Sequence, residues 1–190
     1  MTAAHATARR AQLFDSVVAL FLAEGFAHLT LDDIAARLRC SKSTLYTLAA
    51  SKDDLVRSAA VHFFTSAAVR VDAASDAATG TRERLAAYLG AVGEALAPAS
   101  ERFMTDLADF EPSRLVYERN TAIAAERVRG IIDDGVRADD VRDVHAAFVA
   151  DVAASVMVSI QSRALARRTG LDDAAAYREL ATLLTAGIAR

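Results

Sequence analysis

Lys42, Ser43, Thr44, Tyr46 and Thr47 bring a cation, three hydroxyls and a phenol into one short run. Ammonium and hydroxyl donors suit phosphate oxygens. Hydroxyls that both donate and accept suit base edges. Such a set reads nucleic acid only if a rigid element presents it, and the apolar residues around it specify one. Leu45 and Leu48 recur at i, i+3 and turn inward, and Ser41 can cap the helix that carries them. Upstream, Ile34, Ala35 and Leu38 have helical spacing, and Thr30 with Asp33 forms a variant of the capping box. The pattern breaks between them at Arg39-Cys40. Two short helices around a tight turn give a helix-turn-helix, whose second helix enters the DNA major groove.

Many all-α proteins contain two short helices and a turn, so the flanks decide. An amphipathic helix over roughly 7–24 precedes the pair, with Leu13, Val17, Leu20 and Phe21 on its apolar side and Glu24 in its last turn. Gly25 can take the left-handed conformation that ends it, and Phe26 can fold back. After the pair, Ser51 can cap a long fourth helix that has Asp53 and Asp54 in its first turn.

In this order the chain resembles the TetR/AcrR family of bacterial transcriptional regulators. The resemblance rests on Glu24-Gly25-Phe26, Thr30 with Ile34-Ala35, Ser41-Lys42, Thr44-Leu45-Tyr46 and Ser51-Lys52, and it covers residues 8–60. Three positions depart from the family pattern. Leu38-Arg39 replaces a small pair, often Ala-Gly, and Ser43 replaces a frequent Gly. Thr47-Leu48-Ala49-Ala50 stands where the recognition helix commonly ends in His, a second aromatic, Phe and a small residue or Pro. The missing Phe would normally pack against the head's core. A residue other than Gly at 39, kept left-handed, costs about 1 kcal/mol.

Composition sets the remaining bounds. The 190 residues are rich in Ala, with two Pro, no Trp and no alternating β-branched runs. An all-α chain of about nine helices follows: a three-helix head over 1–51 and a larger helical ligand and dimerisation domain over 52–190. No stretch reads as a membrane span or a signal peptide. The single cysteine, Cys40, suits a reducing cytoplasm, and in its turn it reads as a small apolar residue rather than a redox sensor. The net charge is −3. Residues 1–52 hold six Lys/Arg against four acids, so the head is net +2 and the remainder −5.

Beyond the head, the spacing predicts helices at about 52–74, 82–96 with Thr81 as cap, 98–110 starting at Pro98, 113–136 after a break at Glu111-Pro112, 142–168 and 172–188. The last two are more apolar than one buried face requires. Val156, Met157, Val158, Ile160, Leu180 and Leu183 are examples. The resemblance implies that these two helices pair across a two-fold axis in a homodimer.

Asp106, Asn120 and His145 interrupt apolar stripes on three helices. Three readings stand: they satisfy one another or the backbone, they line an effector pocket with Phe103, Phe110, Tyr117 and Phe148, or they bind a divalent metal. No cofactor is required, and a small organic effector is expected. His62 reads as solvent-side, His5 as a tail residue and His28 as a loop residue. Gly-x-Ser-x-Gly, His-Glu-x-x-His, Cys-x-x-Cys and a glycine-rich phosphate loop are absent, which argues against an enzyme. The expected function is a TetR-like, ligand-responsive regulator, a repressor, that binds double-stranded DNA as a dimer through Lys42, Ser43, Thr44, Tyr46, Thr47 and Lys52 and is released by its effector. The alternative is a ligand- or metal-binding helical bundle whose head has lost specific DNA binding.

Overall fold

Helix ends set this architecture, and short polar or left-handed residues make most of them. The computed structural model describes the backbone of residues 3–190 and the side chains from Thr7 onward. The described residues form ten helices and no strand. They are α1 (Ala3–Glu24), α2 (Leu31–Arg37), α3 (Lys42–Leu45), α4 (Lys52–Asp76), α5 (Thr81–Leu96), α6 (Glu101–Asp109), α7 (Glu111–Arg137), α8 (Ala146–Gln161), α9 (Ala164–Thr169) and α10 (Asp173–Gly187).

The head's caps follow the sequence closely. Thr30 accepts the Asp33 N–H, and the Asp33 carboxylate accepts the Thr30 N–H at 2.8 Å, a reciprocal capping box. The Thr30 hydroxyl, which donates to Asp33 Oδ2 at 2.6 Å, and then the Thr30 N–H hold the Asp33 carboxyl below its usual range. At the other end of α2, Arg39 takes φ +52°, its N–H reaches Ala36 O, and the Cys40 N–H reaches Ala35 O at 3.0 Å. This is a Schellman ending built without glycine. Ser41 then caps α3 by accepting the Thr44 N–H.

Three expectations need correction. The helix expected over 142–168 is two helices, because Arg163 at φ +56° breaks it between α8 and α9, and its guanidinium pairs with Asp173 at 2.9 Å. The break expected at Glu111-Pro112 falls just before it, at the extended Phe110 between α6 and α7. Pro112 sits in the first turn of α7, where a missing N–H costs nothing. Gly80, at φ +84°, is the N-cap of α5 in place of Thr81, whose N–H instead donates to Asp140 at 2.6 Å. Pro98 does not open α6; Ser100 caps it through the Phe103 N–H.

The chain divides into two compact units. The first comprises Met1–Phe64 and Pro98–Tyr117, the second Thr65–Ala97 and Glu118–Arg190. Packing thus joins α6 and the first residues of α4 and α7 to the head, a different cut from the boundary expected at 51/52.

The first unit is organised around Phe26. Its ring lies 5.5 Å from Phe21 and 5.8 Å from both Phe103 and Phe110. Phe63 extends the aromatic core to Phe103. Asp106, buried on α6, fixes the turn that delivers Phe26: its Oδ2 accepts the Phe26 N–H at 2.6 Å and the Ala27 N–H at 2.8 Å. Gly25 is required twice at this turn. Its φ is +75°, and a Cβ there would stand 2.6 Å from Asp106 Oδ2. In the second unit α5 packs on α10, and Gly93 lets Tyr177 approach so closely that an added Cβ would meet that side chain at 3.2 Å.

Two outcomes follow. Asp106→Ala should lose about 1–3 kcal/mol of stability, because the buried Phe26 N–H and the part-buried Ala27 N–H lose their acceptor, whereas Asp106→Asn should lose clearly less. Urea unfolding checks this, and an Asp106→Ala loss no larger than that of the exposed Asp109→Ala would show that the carboxylate does not hold the turn. Arg39→Gly should raise the urea midpoint by an amount worth about 0.5–1 kcal/mol at unchanged slope, since the left-handed residue loses its Cβ penalty. A midpoint at or below the parent's would mean that Arg39 carries no such strain.

A candidate DNA-reading segment and a polar cluster that disperses

The residues expected to read DNA lie on and just after α3. Lys42, Ser43, Tyr46 and Thr47 are exposed and Thr44 is half-buried, while Leu45 fills the core beneath them. The α-helix proper is four residues long. It tightens beyond Leu45: the Thr47 N–H bonds to Thr44 O and the Leu48 N–H to Leu45 O at 2.8 Å, three-residue spacings that wind the last turn as a 3₁₀ helix. Tyr46 and Thr47 sit in that turn.

A hydroxyl network orders the segment. Ser41 Oγ lies 2.8 Å from Ser43 Oγ and 2.7 Å from Thr44 Oγ1, and Thr47 Oγ1 donates to Thr44 O at 2.7 Å. Tyr46 leaves half of its surface exposed.

The two lysines differ. Lys42 Nζ donates to Asp32 Oδ2 of α2 at 3.0 Å, and that bond raises its pKa above the usual lysine value. Lys52 Nζ donates to Ala27 O at 2.9 Å and lies 5.5 Å from the Phe110 ring centroid. Burial lowers its pKa, against the pull of Asp53, Asp106 and Asp33. Both cations are thus held by head residues. Asp32 was not singled out in the sequence. Its only sequence signal is an acid ten positions before a lysine, a spacing that no single helix explains. Cys40 is a half-buried free thiol in the turn.

The residues of the polar cluster expected in the larger domain fall in different units. Asp106, Phe103, Phe110 and Tyr117 belong to the first unit, and Asn120, His145 and Phe148 to the second. Asp106 is taken up by the Phe26–Ala27 turn. Phe103 and Phe110 pack on Phe26, and Tyr117 lies 6.4 Å from Phe64, centroid to centroid. Burial raises the pKa of the Tyr117 phenol. Asn120 is half-buried on α7. His145 is exposed and caps α8, its Nδ1 accepting the Phe148 N–H at 3.2 Å, while Phe148 itself is 67% exposed. An exposed imidazole used as a helix cap does not line a cavity. Among the described residues no group of three or more His, Cys, Asp and Glu is placed to hold a metal ion. His62 is exposed, 4.0 Å from Asp15 and edge-on to Phe14, and His28 is exposed in its loop. The side chain of His5 lies outside the described residues.

The second unit contains a small cleft of about 110 Å³, lined by Ser75, Asp76, Arg84, Glu126, Arg127, Gly130, Ile131 and Asp134. It is much smaller than the ~300–1,000 Å³ of ordinary organic-ligand pockets. Arg127 is held by Asp72 at 2.6 Å, and no described helix is long and apolar enough to cross a membrane.

Residues 13–59 match the family model for bacterial regulatory proteins of the tetR family. No curated protein matches the chain by sequence. Solved structures share the fold along nearly its whole length. A transcriptional regulator from Saccharomonospora viridis, in complex with choline, has a TM-score of 0.79 and 18% identity over 97% of this chain and 99% of that one. A TetR-family regulator from Agrobacterium tumefaciens has a TM-score of 0.76 and 14% identity over 97% and 99%. The fatty acid degradation regulator FadR from Bacillus halodurans has a TM-score of 0.74 and 14% identity over 94% and 95%. The head over residues 13–59 is thus similar to the bacterial regulatory proteins of the tetR family, and the whole chain shares the all-α fold of these transcriptional regulators.

Proposed function

We propose that the chain is a dimeric, ligand-responsive repressor that reads a near-palindromic operator in the cytoplasm. The observation that carries this reading is the ordered, exposed run Lys42–Thr47, held from beneath by Leu45 and from one end by the Ser41 cap. Ser43 and Thr47 offer hydroxyls to base edges, and Lys42 offers an ammonium. Tyr46 and Lys52 serve phosphates. Two such segments in one dimer would enter successive major grooves about one helical turn apart.

Exposed apolar side chains support the dimer. Leu183 on α10 is 68% exposed, Phe148 on α8 67%, and Val152 and Val158 also on α8 are 37% each. Large apolar groups left open on adjacent packed helices suit burial against a second copy. Release requires an effector that prefers the non-binding form. A small organic molecule is the class to test, since the regulator from Saccharomonospora viridis holds choline. Choline is larger than the 110 Å³ cleft comfortably holds, so an effector of that size would enter by widening it.

The operator can be enriched from a random duplex pool by the protein itself. Thr47→Ala should then change which duplexes are enriched more than it changes affinity. Asp32→Ala should strengthen binding to selected and unselected duplexes alike, because it frees Lys42 and removes a negative charge beside the DNA. If both variants select and bind as the parent does, this segment is not the reader, and the alternative of a helical bundle with a silent head takes its place. Leu183→Glu should convert the dimer to monomer, or to a dimer at least 10-fold weaker, by sedimentation. A parent that is monodisperse and monomeric at micromolar concentration would end the dimer model.

A further inference from the structure

The head's cations are not equally available. Arg37 is held by Glu24 at 2.9 Å, Lys42 by Asp32 at 3.0 Å, and Lys52 by Ala27 O. Arg57 lies 3.8 Å from Asp54. Arg9, Arg10 and Arg39 have no ion pair among the described residues. Of these three, Arg10 lines a groove. The groove is about 350 Å³, open to solvent, and bounded by Thr7, Arg10, Ala11 and Phe14 of α1, Leu48 at the end of the reading segment, and Ser58 of α4. Its lining combines the apolar side chains of Ala11, Phe14 and Leu48 with the guanidinium-bearing Arg10 and the hydroxyl residues Thr7 and Ser58. Leu48 directly follows Thr47, so the groove opens beside the residue assigned above to a base contact. Ala49 and Ala50 come next and are too small to fill it.

A groove lined by apolar side chains and by an arginine with no ion pair among the described residues complements a sugar–phosphate strand. Deoxyribose offers C–H surface and the phosphate an oxyanion that arginine binds in a fork. We infer that this groove seats the operator backbone flanking each half-site, with Arg10 as its phosphate-binding residue. The inference deepens the DNA-reading function proposed above and rests on it. It makes α1 part of the interface, so that one half-site is held from two sides: by the Lys42–Thr47 segment in the major groove and by Arg10 on the adjoining strand. Arg10 positions and does not select, because a phosphate has no sequence.

The test is a salt titration of binding by fluorescence anisotropy, with one duplex enriched from a random pool and one unselected duplex of equal length. Arg10→Ala should lower the slope of log affinity against log salt by about one per subunit bound and weaken binding about five-fold per subunit at 150 mM salt. The loss should be the same on both duplexes, and Arg10→Lys should restore the slope. An Arg10→Ala slope equal to the parent's, while Thr47→Ala still alters the enriched sequence, overturns this inference and leaves the DNA-reading function intact. A parent with no salt-dependent affinity for any duplex overturns both. Displacement of the duplex by a small aromatic carboxylate in the parent but not in Arg10→Ala, with the two slopes equal, would assign the groove to a small anionic ligand and overturn the backbone assignment.

Discussion

The hydrogen bonds from the Phe26 and Ala27 N–H groups to Asp106 are the constraint on which the head depends. They join residues about eighty positions apart, at a turn where α1 has ended and α2 has not begun. The turn needs Gly25 for its left-handed backbone and for the room a Cβ would take from the carboxylate. Once the turn is set, Phe26 drops between Phe21, Phe103 and Phe110, and the Ala27 carbonyl faces outward to accept Lys52. One carboxylate on α6 therefore fixes the end of α1, the aromatic centre of the first unit and the first residue of α4. A buried carboxylate with two strong donors is stable there; without them it would cost several kcal/mol to bury.

Local features of this chain were legible because their causes are local. The Thr30–Asp33 box, the Ser41 cap and the Gly25 ending each need only residues within one turn, and each is found as read. The left-handed Arg39 belongs with them, since its cause, a Schellman ending, lies within six residues. The Arg163 break was not legible, because nothing in its neighbourhood marks it. It is tied to Asp173, on the next helix but one. The break near Pro112 was legible to within two residues, because proline is tolerated in a first turn and so marks the start of α7 rather than its interior.

The expectations that failed were those that joined distant polar residues by shared character. Asp106, Asn120 and His145 each interrupt an apolar stripe, which is a true statement about each helix and says nothing about where the three meet. Asp106 is answered by backbone N–H groups and His145 by the helix it caps. A polar residue on an apolar stripe signals an obligation to be satisfied, and backbone groups, being the most numerous donors, are the commonest way to satisfy it. The residues proposed to read DNA were legible as one exposed segment for a different reason. They are consecutive, so finding them needed no tertiary guess.

What remained hidden even there was the pairing of the cations. Counting charges gives the head +2, yet Arg37 and Lys42 face carboxylates and Lys52 a carbonyl. Pairing changes what a cation contributes to DNA binding. An exposed lysine bonded to a carboxylate exchanges one oxyanion for another when it meets a phosphate, so it gains little and mainly fixes orientation. An unpaired arginine releases a counterion from the DNA without giving up a partner of its own, so it adds affinity and salt dependence. Under the function proposed here, specificity and affinity would fall to different helices of the same head: the paired, ordered α3 segment would select, and the cations of α1 and the α2–α3 turn that have no ion pair among the described residues would hold.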